Sequence, residues 1–202
     1  MRVNHYQRVK QVIANAYKNI NPTYLSKQAR DELGITDESF IYGEIDAQSL
    51  LNLIEIAHPI EGEIFYDLGS GSGRAALIAG ACFPFKRVVG IEYLSPLSLL
   101  SQNQLCAINS LKLIDEITNV EFINGDFFQV DFSQANIIFF NATACRNQNW
   151  ESILEKFLAM PIGTRIILTT QRLPSPSFEV CYEGLQLMSW GMNSSYVYKK
   201  IK

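Results

Sequence analysis

A glycine-rich run stands between an apolar segment and a helical one, and it reads Asp67-Leu68-Gly69-Ser70-Gly71-Ser72-Gly73-Arg74. Glycines in such a turn let the backbone bend tightly and approach a ligand closely. The spacing is G-x-G-x-G, because Arg74 occupies the position of the third glycine in the dinucleotide fingerprint G-x-G-x-x-G. A loop without that glycine's close contact to the helix suits a nucleoside better than a pyrophosphate. The candidate ligand-binding residues of this run are Asp67, Gly69, Ser70, Gly71 and Gly73.

An acidic residue, Glu92, ends the next apolar segment and lies 19 residues beyond Gly73. In nucleotide-binding folds, a carboxylate about 20 residues beyond the glycines accepts hydrogen bonds from ribose hydroxyls. The two oxygens of one carboxylate can accept from both hydroxyls of a ribose. The pattern therefore indicates a ribose-binding acid, and an exposed acid at the end of a strand is the plain alternative.

A third polar group, Gly125-Asp126-Phe127, follows the third predicted strand. Asp126 can accept a hydrogen bond from the exocyclic amine of adenine, and Phe127 offers a ring against which the base can pack. A Gly-Asp pair is also typical of ordinary turns, which is the structural alternative. Open parallel sheets bind ligands beyond the carboxyl ends of their strands, so the three groups together indicate a nucleoside site.

Strand and helix patterns alternate from residue 63 onward, which is what positions these groups at strand ends. The predicted strands cover 63–67, 87–92, 120–124, 136–141 and 165–170, with helices over 73–82, 95–111 and 147–159. Such alternation is typical of a parallel sheet that is covered by helices on both faces. Two last strands, 178–187 and 194–200, are predicted to form a hairpin.

Three more helices are predicted ahead of the alternating part. The first carries apolar residues at helical spacing, namely Val9, Val12, Ile13, Ala16 and Ile20. We expect Thr23 to cap the second helix, Gly34 to end it, and the third helix to begin at Asp46. We therefore divide the chain into a helical segment with a loop, 1–45, and a main domain, 46–202.

Charge is distributed unevenly along the chain. Residues 1–30 carry six basic residues and no acidic one, so the rest carries 11 basic and 20 acidic residues, net −9. The basic helices either dock an acidic partner or present a solvated face around an apolar stripe. The total of 17 basic and 20 acidic residues excludes a strongly basic, general nucleic-acid binder.

The 202 residues are 48% hydrophobic and 18% charged, as in an ordinary globular protein. We find neither a membrane-spanning segment nor a signal-peptide core, so we expect a cytoplasmic location, with export as an effector left open. Four cysteines lie at least 24 residues apart. Their spacing predicts no metal site, and we expect three of the thiols to be buried. His5 and His58 are the two histidines, and we expect His58 to be structural.

The glycine loop, Glu92 and Asp126 resemble the Rossmann-like class I methyltransferases that use S-adenosylmethionine. The resemblance covers about residues 63 to 200 and implies S-adenosylmethionine as the cofactor. It also implies an α/β, three-layer sandwich: a seven-stranded, mostly parallel sheet with a C-terminal antiparallel hairpin, preceded here by a small helical segment.

A narrower resemblance includes the N-terminal part. The set Tyr42-Gly43-Glu44, the glycine loop, Gly90-x-Glu92, Gly125-Asp126-Phe127 and Asn141 is similar to the disruptor-of-telomeric-silencing histone-lysine methyltransferases. In that family the Tyr-Gly-Glu loop covers the cofactor. The resemblance implies that Tyr42 to Ile45 line the methionine end of the cofactor and a lysine channel, with Asn141 beside the transferable methyl group. It makes Tyr42 and Asn141 the candidate catalytic residues and Phe140 a further candidate for the channel.

The chain departs from that family after the fourth strand. The family has two asparagines followed by an aromatic residue, whereas this chain has Asn141-Ala142-Thr143, and a long basic extension is absent. Lysine is thus a better supported acceptor than histone. The stretches Ser72-Gly73-Arg74 and Glu92-Tyr93-Leu94-Ser95-Pro96 are similar to small protein-lysine methyltransferases of the ATP-synthase c-subunit type, which adds Tyr93 to the candidate cofactor-binding residues.

Several functional alternatives stay open at this point. The chain can be a protein-lysine methyltransferase, a small-molecule methyltransferase or a non-catalytic scaffold that binds S-adenosylmethionine. The missing Asp/Asn-Pro-Pro-aromatic motif weighs against adenine methylation in nucleic acids. We expect a protein substrate, no membrane and no nucleic-acid partner; the sequence does not determine the oligomeric state.

Overall fold

The structure, a computed structural model, describes residues 2–111, 114, 117, 119–145 and 147–202. Seven strands form one sheet: β1 (Ile64–Leu68), β2 (Arg87–Glu92), β3 (Val120–Asn124), β4 (Ile137–Phe140), β5 (Arg165–Thr169), β6 (Phe178–Met188) and β7 (Gly191–Lys200). Their order across the sheet is β3-β2-β1-β4-β5-β7-β6. The first five strands pair in parallel, and β7 runs antiparallel to both β5 and β6. The predicted fold, with its terminal hairpin, is confirmed.

Six α-helices accompany the sheet in the described residues: α1 (Arg2–Ala16), α2 (Pro22–Leu33), α3 (Ala47–Ile56), α4 (Arg74–Cys82), α5 (Ser95–Ser110) and α6 (Asn147–Leu158). Asp46 caps α3 as expected, because its carboxylate accepts from the backbone N–H groups of the first turn. Gly34 ends α2 in the left-handed conformation, φ 66°. The prediction that Thr23 caps α2 is wrong. Asn21 caps α2 instead, since Pro22 needs no hydrogen-bond partner in the first turn.

The two faces of the sheet bury separate apolar cores, because successive side chains of a strand point to opposite faces. Phe65 of β1 packs in the core that contains buried residues of α1, α3 and α4. The adjacent Tyr66 lies in the other core, with Ile153 and Phe157 of α6. Helices on both faces give the predicted three layers. The division of the chain at residue 45 stays a prediction, although α1 shares its core with α4.

The strand order reverses between β1 and β4, which is the topological switch point of the sheet. These two strands are neighbours, with Leu68 opposite Phe140, yet their connections leave toward opposite edges of the sheet. Open α/β sheets leave a crevice at such a point, beyond the carboxyl ends of the strands. Gly69 and Asn141 are the first residues past these two ends. The fold therefore places the glycine loop and the candidate catalytic asparagine on the two sides of one crevice.

The cysteines differ from the expectation. Cys145 is buried, Cys82 is half-buried, and Cys106 and Cys181 are exposed, so one thiol rather than three is fully enclosed. Cys181 lies at the bulge of the edge strand β6. Among the described helices, none combines the length and apolar character that crossing a membrane requires.

Candidate functional site

The glycine loop folds back onto the end of β2. Gly69, Gly71 and Gly73 have φ angles of 72°, 55° and 85°, a region that L side chains rarely adopt. The backbone N–H groups of Gly69 and Ser70 both donate to the carbonyl oxygen of Ile91 at 2.9 Å. Gly73 also packs closely: a Cβ atom there would lie 2.5 Å from Ser101. The glycine before Arg74 thus provides the tight helix packing that the spacing alone did not predict.

Glu92 is buried at the end of β2, and its carboxylate is hydrogen-bonded to the backbone of the glycine loop. Its Oε2 accepts from the N–H of Gly71 and its Oε1 from the N–H of Leu94, both at 2.8 Å. Burial raises the pKa of Glu92, and these backbone donors oppose the rise. A carboxylate has about four acceptor positions, so Glu92 can still accept from ligand hydroxyls. This geometry fits the predicted ribose-binding acid and excludes the alternative of an exposed strand-end acid.

Asp67 lies beneath the same loop. It is 2% exposed, and burial followed by the neighbouring Glu92 raises its pKa to about 8. Its Oδ2 and the hydroxyl of Ser70 are buried without a hydrogen-bond partner. Buried polar atoms are almost always paired in folded proteins, so unpaired ones at a sheet's switch point indicate a site for a polar ligand. Together with Glu92, these atoms fit the hydroxyl and ammonium groups of S-adenosylmethionine.

The Tyr42-Gly43-Glu44 segment lies directly over the glycine loop. The ring of Tyr42 covers Gly71, where a Cβ atom would come within 2.7 Å of the ring. Glu44 accepts hydrogen bonds from three side chains: the hydroxyl of Tyr42, the hydroxyl of Ser72 at 2.6 Å and the guanidinium of Arg74 at 2.5 Å. Burial and the adjacent Glu44 raise the pKa of Tyr42, so its phenol stays protonated near neutral pH.

The terminal hairpin holds this segment in place from the other side. The backbone N–H of Ser189 donates a hydrogen bond to the backbone carbonyl of Glu44 at 2.8 Å. Gly43 faces Trp190 so closely that a Cβ atom would lie 2.2 Å from the indole ring. The structure therefore places Trp190 of the hairpin against the site. The glycine of the Tyr-Gly-Glu motif was the available signal, because it permits such close approach.

Asn141 joins the two halves of the crevice. Its amide nitrogen donates to the carbonyl of Gly43 at 3.0 Å. Its amide oxygen accepts from the hydroxyls of Thr169 at 2.6 Å and Thr143 at 2.9 Å, which fixes the orientation of the amide. One N–H of the amide is left for a ligand. Sequence reasoning missed both threonines, since neither belongs to a recognisable motif.

A strained residue extends this polar cluster. Thr170 has φ 68°, an unusual conformation for a β-branched side chain. Its hydroxyl lies 2.8 Å from that of Thr143 and accepts from the side chain of Asn193 at 2.7 Å. Backbone strain of this kind is found preferentially at functional sites.

The predicted base-binding residues lie on the outer side of the crevice. Asp126 follows β3, beside the end of β2, and its Oδ1 accepts from the N–H of Phe128 at 2.8 Å. Phe127 meets Phe140 edge-on, with 5.4 Å between ring centroids. Tyr93 is half-exposed, and its ring lies 5.2 Å from that of Phe40. Asp126 thus closes its own turn, as the structural alternative has it, and its contact with adenine stays a prediction.

Two side chains named in the sequence analysis have little part in this crevice. Phe140 is only 3% exposed and packs against Phe127 and Phe157, so it backs the site rather than opening onto it. His5 bonds to the carbonyl of Ala81, away from the strand ends. In the part of the chain that the structure describes, no group of His, Cys, Asp and Glu is arranged to hold a metal ion.

The fold is shared with solved methyltransferase structures. An RNA methyltransferase from Salinibacter ruber, in complex with S-adenosyl-L-homocysteine, superimposes with a TM-score of 0.60 at 24% identity, over 77% of this chain and 92% of that one. A putative RNA methyltransferase from Pyrococcus horikoshii has a TM-score of 0.60 at 14% identity, over 88% of this chain and 98% of that one. At these identities the similarity concerns the fold alone.

The sequence comparisons are more specific. A protein-lysine N-methyltransferase of Saccharolobus islandicus (strain REY15A) is 29% identical over 124 residues, or 57% of this chain and 66% of that protein, just under two thirds of its length. Residues 36–192 match the family described as histone methylation protein DOT1, which is well over half of the chain. The chain belongs to this family. Family membership and the shared fold confirm the resemblance to class I methyltransferases that use S-adenosylmethionine.

Proposed function

We propose that this DOT1-family protein transfers a methyl group from S-adenosylmethionine to a lysine side chain of a protein. The observation that carries the proposal is the closed arrangement of the Tyr42-Gly43-Glu44 segment. It covers Gly71 of the glycine loop and receives the amide hydrogen of Asn141. The relative from Saccharolobus islandicus, a protein-lysine N-methyltransferase, supports lysine as the acceptor.

The proposed cofactor contacts follow the carboxyl ends of the strands. Glu92 would accept from the ribose hydroxyls and Asp126 from the adenine amine, with Phe127 and Tyr93 beside the base. Asp67, Ser70 and Glu44 would receive the polar groups of the amino-acid end. The remaining contacts are from backbone atoms of the two loops: Gly43, Gly69, Gly71 and Gly73. Tyr42 and Asn141 would stand at the methyl group.

For methyl transfer, the protein mainly has to orient the two reactants. The bound cofactor supplies a methyl group that its sulfonium has already activated. Correct alignment of two reactants is worth up to about 7–11 kcal/mol of the barrier. Asn141 can provide it, because the hydroxyls of Thr143 and Thr169 fix its amide, whose second N–H is available to a ligand.

The acceptor amine must arrive without its proton. The side chains that bond to Asn141 in the described structure are threonines, and neither a hydroxyl nor a carboxamide takes up a proton near neutral pH. The partly buried wall formed by Tyr42 would disfavour a charged ammonium and lower the pKa of an entering lysine, while the Glu44 carboxylate beside it acts in the opposite direction. Methylation should therefore become faster as pH rises toward the ordinary lysine pKa of about 10.4.

Charge supports a basic protein segment as the acceptor. Beyond residue 30 the chain carries 11 basic and 20 acidic residues, net −9. A negative surface attracts a lysine-containing segment and repels the phosphates of nucleic acids, and salt weakens both effects. We therefore expect methylation to slow as ionic strength increases.

The experiment is incubation of the protein with host lysate and radiolabelled S-adenosylmethionine. We expect label in acid-precipitated protein, resistant to nuclease, with Asn141→Ala as the matched control that binds the cofactor but transfers little label. Cofactor binding without any transfer would favour the scaffold alternative. Label confined to small molecules would favour the small-molecule methyltransferase.

A further inference from the structure

Tyr17, one residue beyond the end of α1, reaches the glycine loop from outside the region that matches the family. Its side chain is 1% exposed, and its hydroxyl donates to the main-chain carbonyl of Ser72 at 2.6 Å. Burial is the main cause that raises the pKa of this phenol, so the hydroxyl keeps its proton and acts as a donor. A side chain from the N-terminal helical segment thus fixes the turn that precedes α4.

Tyr17 also supports the charged pair above that turn. The guanidinium of Arg74 lies over the Tyr17 ring, 4.4 Å from its centroid, and bonds to Glu44 at 2.5 Å. A cation over an aromatic face is attracted by the ring electrons. The Nε of Arg74 is buried without a hydrogen-bond partner. Arg74 and Glu44 therefore form a positive and a negative group in fixed positions. The Nε–H of Arg74 remains as a hydrogen-bond donor without a partner.

We infer that Tyr17 is a positioning residue for the amino-acid end of the cofactor, acting through Ser72 and Arg74. The inference rests on the proposed function, in which that end lies against Glu44. The amino-acid end of S-adenosylmethionine is a zwitterion, which matches a fixed pair of opposite charges. In the same proposal the ribose and base would contact Glu92 and Asp126, whereas Tyr17 contacts Ser72 and Arg74. The influence of Tyr17 is therefore confined to ligands that carry the amino-acid group.

Calorimetry with two ligands tests this selectivity. S-adenosylhomocysteine carries the amino-acid end, whereas 5′-methylthioadenosine lacks it and keeps the nucleoside. For Tyr17→Leu we expect about tenfold weaker binding of S-adenosylhomocysteine, because the ring face and the hydroxyl are both lost, and binding of 5′-methylthioadenosine within about twofold of wild type. Tyr17→Phe keeps the ring under Arg74 and should give a smaller loss.

Ile13→Val is the matched control, because Ile13 lies in α1 and is buried in the same apolar core as Tyr17. It should lower thermal stability without changing either affinity. Equal weakening of both ligands in Tyr17→Leu, or no change in either, would overturn the inference, and Tyr17→Phe decides the matter if the leucine variant does not fold. A wild-type protein that bound neither ligand would overturn the proposed function as well.

Discussion

The side-chain amide of Asn141 donates to the main-chain carbonyl of Gly43 at 3.0 Å, although the two residues are 98 positions apart. Asn141 directly follows the central strand β4, and Gly43 belongs to a loop that precedes the whole sheet. The contact closes the crevice between the glycine loop and β4. It also explains how an N-terminal loop can form part of a site whose other members stand at strand ends.

Glu92→Gln should weaken binding of S-adenosylhomocysteine by about 1.5–3 kcal/mol, because charged hydrogen bonds to the ribose are replaced by weaker ones. Calorimetry measures the effect. Glu121→Gln is the control, since Glu121 is a strand carboxylate that pairs with Arg87. Asp126→Ala should cost less than Glu92→Gln, because its proposed partner is a neutral amine. Unchanged affinity in Glu92→Gln would remove Glu92 from the site.

Asn141→Ala should keep cofactor affinity and lose about 100-fold in turnover, because misalignment of the reacting groups slows transfer by roughly that factor. Asn141→Asp is the sharper variant. It places an acceptor oxygen opposite the Gly43 carbonyl and so repels the Tyr42-Gly43-Glu44 segment. We expect the aspartate variant to be the less active of the two in a label-transfer assay. Full turnover in either variant would rule out the proposed role of Asn141.

Gly43→Ala should displace the loop, because the new Cβ atom would lie 2.2 Å from the Trp190 ring. We expect weaker cofactor binding and lower turnover in this variant. Combining it with Trp190→Ala removes the clash and should restore part of the activity lost in Gly43→Ala. If the double variant were no better than the single one, the contact with Trp190 would not be what positions the loop.

Stability without cofactor should fall as pH rises from about 4 to about 8, since a carboxyl in an unfolded chain titrates near the lower value. Burial, reinforced by Glu92, raises the pKa of Asp67 in the folded protein to about 8. Between these values the folded state keeps a proton that the unfolded state has released, so rising pH favours unfolding.

Urea unfolding of the cofactor-free protein across this pH range measures the effect. One group contributes a slope of up to about 1.4 kcal/mol per pH unit. Asp67→Asn cannot ionise and should have a flatter profile, with the remaining slope due to other groups such as Glu92. An equal slope in wild type and variant would show that Asp67 does not keep its proton on folding.

Local signals in the sequence predicted the fold and the nucleoside side of the site. Alternating strands and helices determine the sheet, and the sheet brings Glu92 and Asp126 to one edge because parallel strands end on the same side. Asn141 and Tyr42 were assigned by family resemblance, because no local pattern connects residues so far apart in the chain.

Contacts between elements that are far apart in the chain could not be predicted from the sequence. Trp190 lies against Gly43 because the neighbouring Ser189 bonds to the backbone of Glu44, and Tyr17 reaches Ser72 because α1 packs on α4. Side chains of this kind look like ordinary core residues along the chain. The prediction of Thr23 as the cap of α2 was wrong for a local reason. The helix begins at Pro22, so its cap is Asn21, two residues earlier.

The most direct measurement is mass spectrometry of host proteins after reaction with isotope-labelled S-adenosylmethionine, with the Asn141→Ala protein as the control. The account predicts the labelled methyl group on the ε-amine of lysine in one or a few proteins, absent or much reduced with the variant. Labelled methyl groups found only on nucleotides or metabolites would contradict lysine as the acceptor and leave the methyltransferase fold without the proposed substrate.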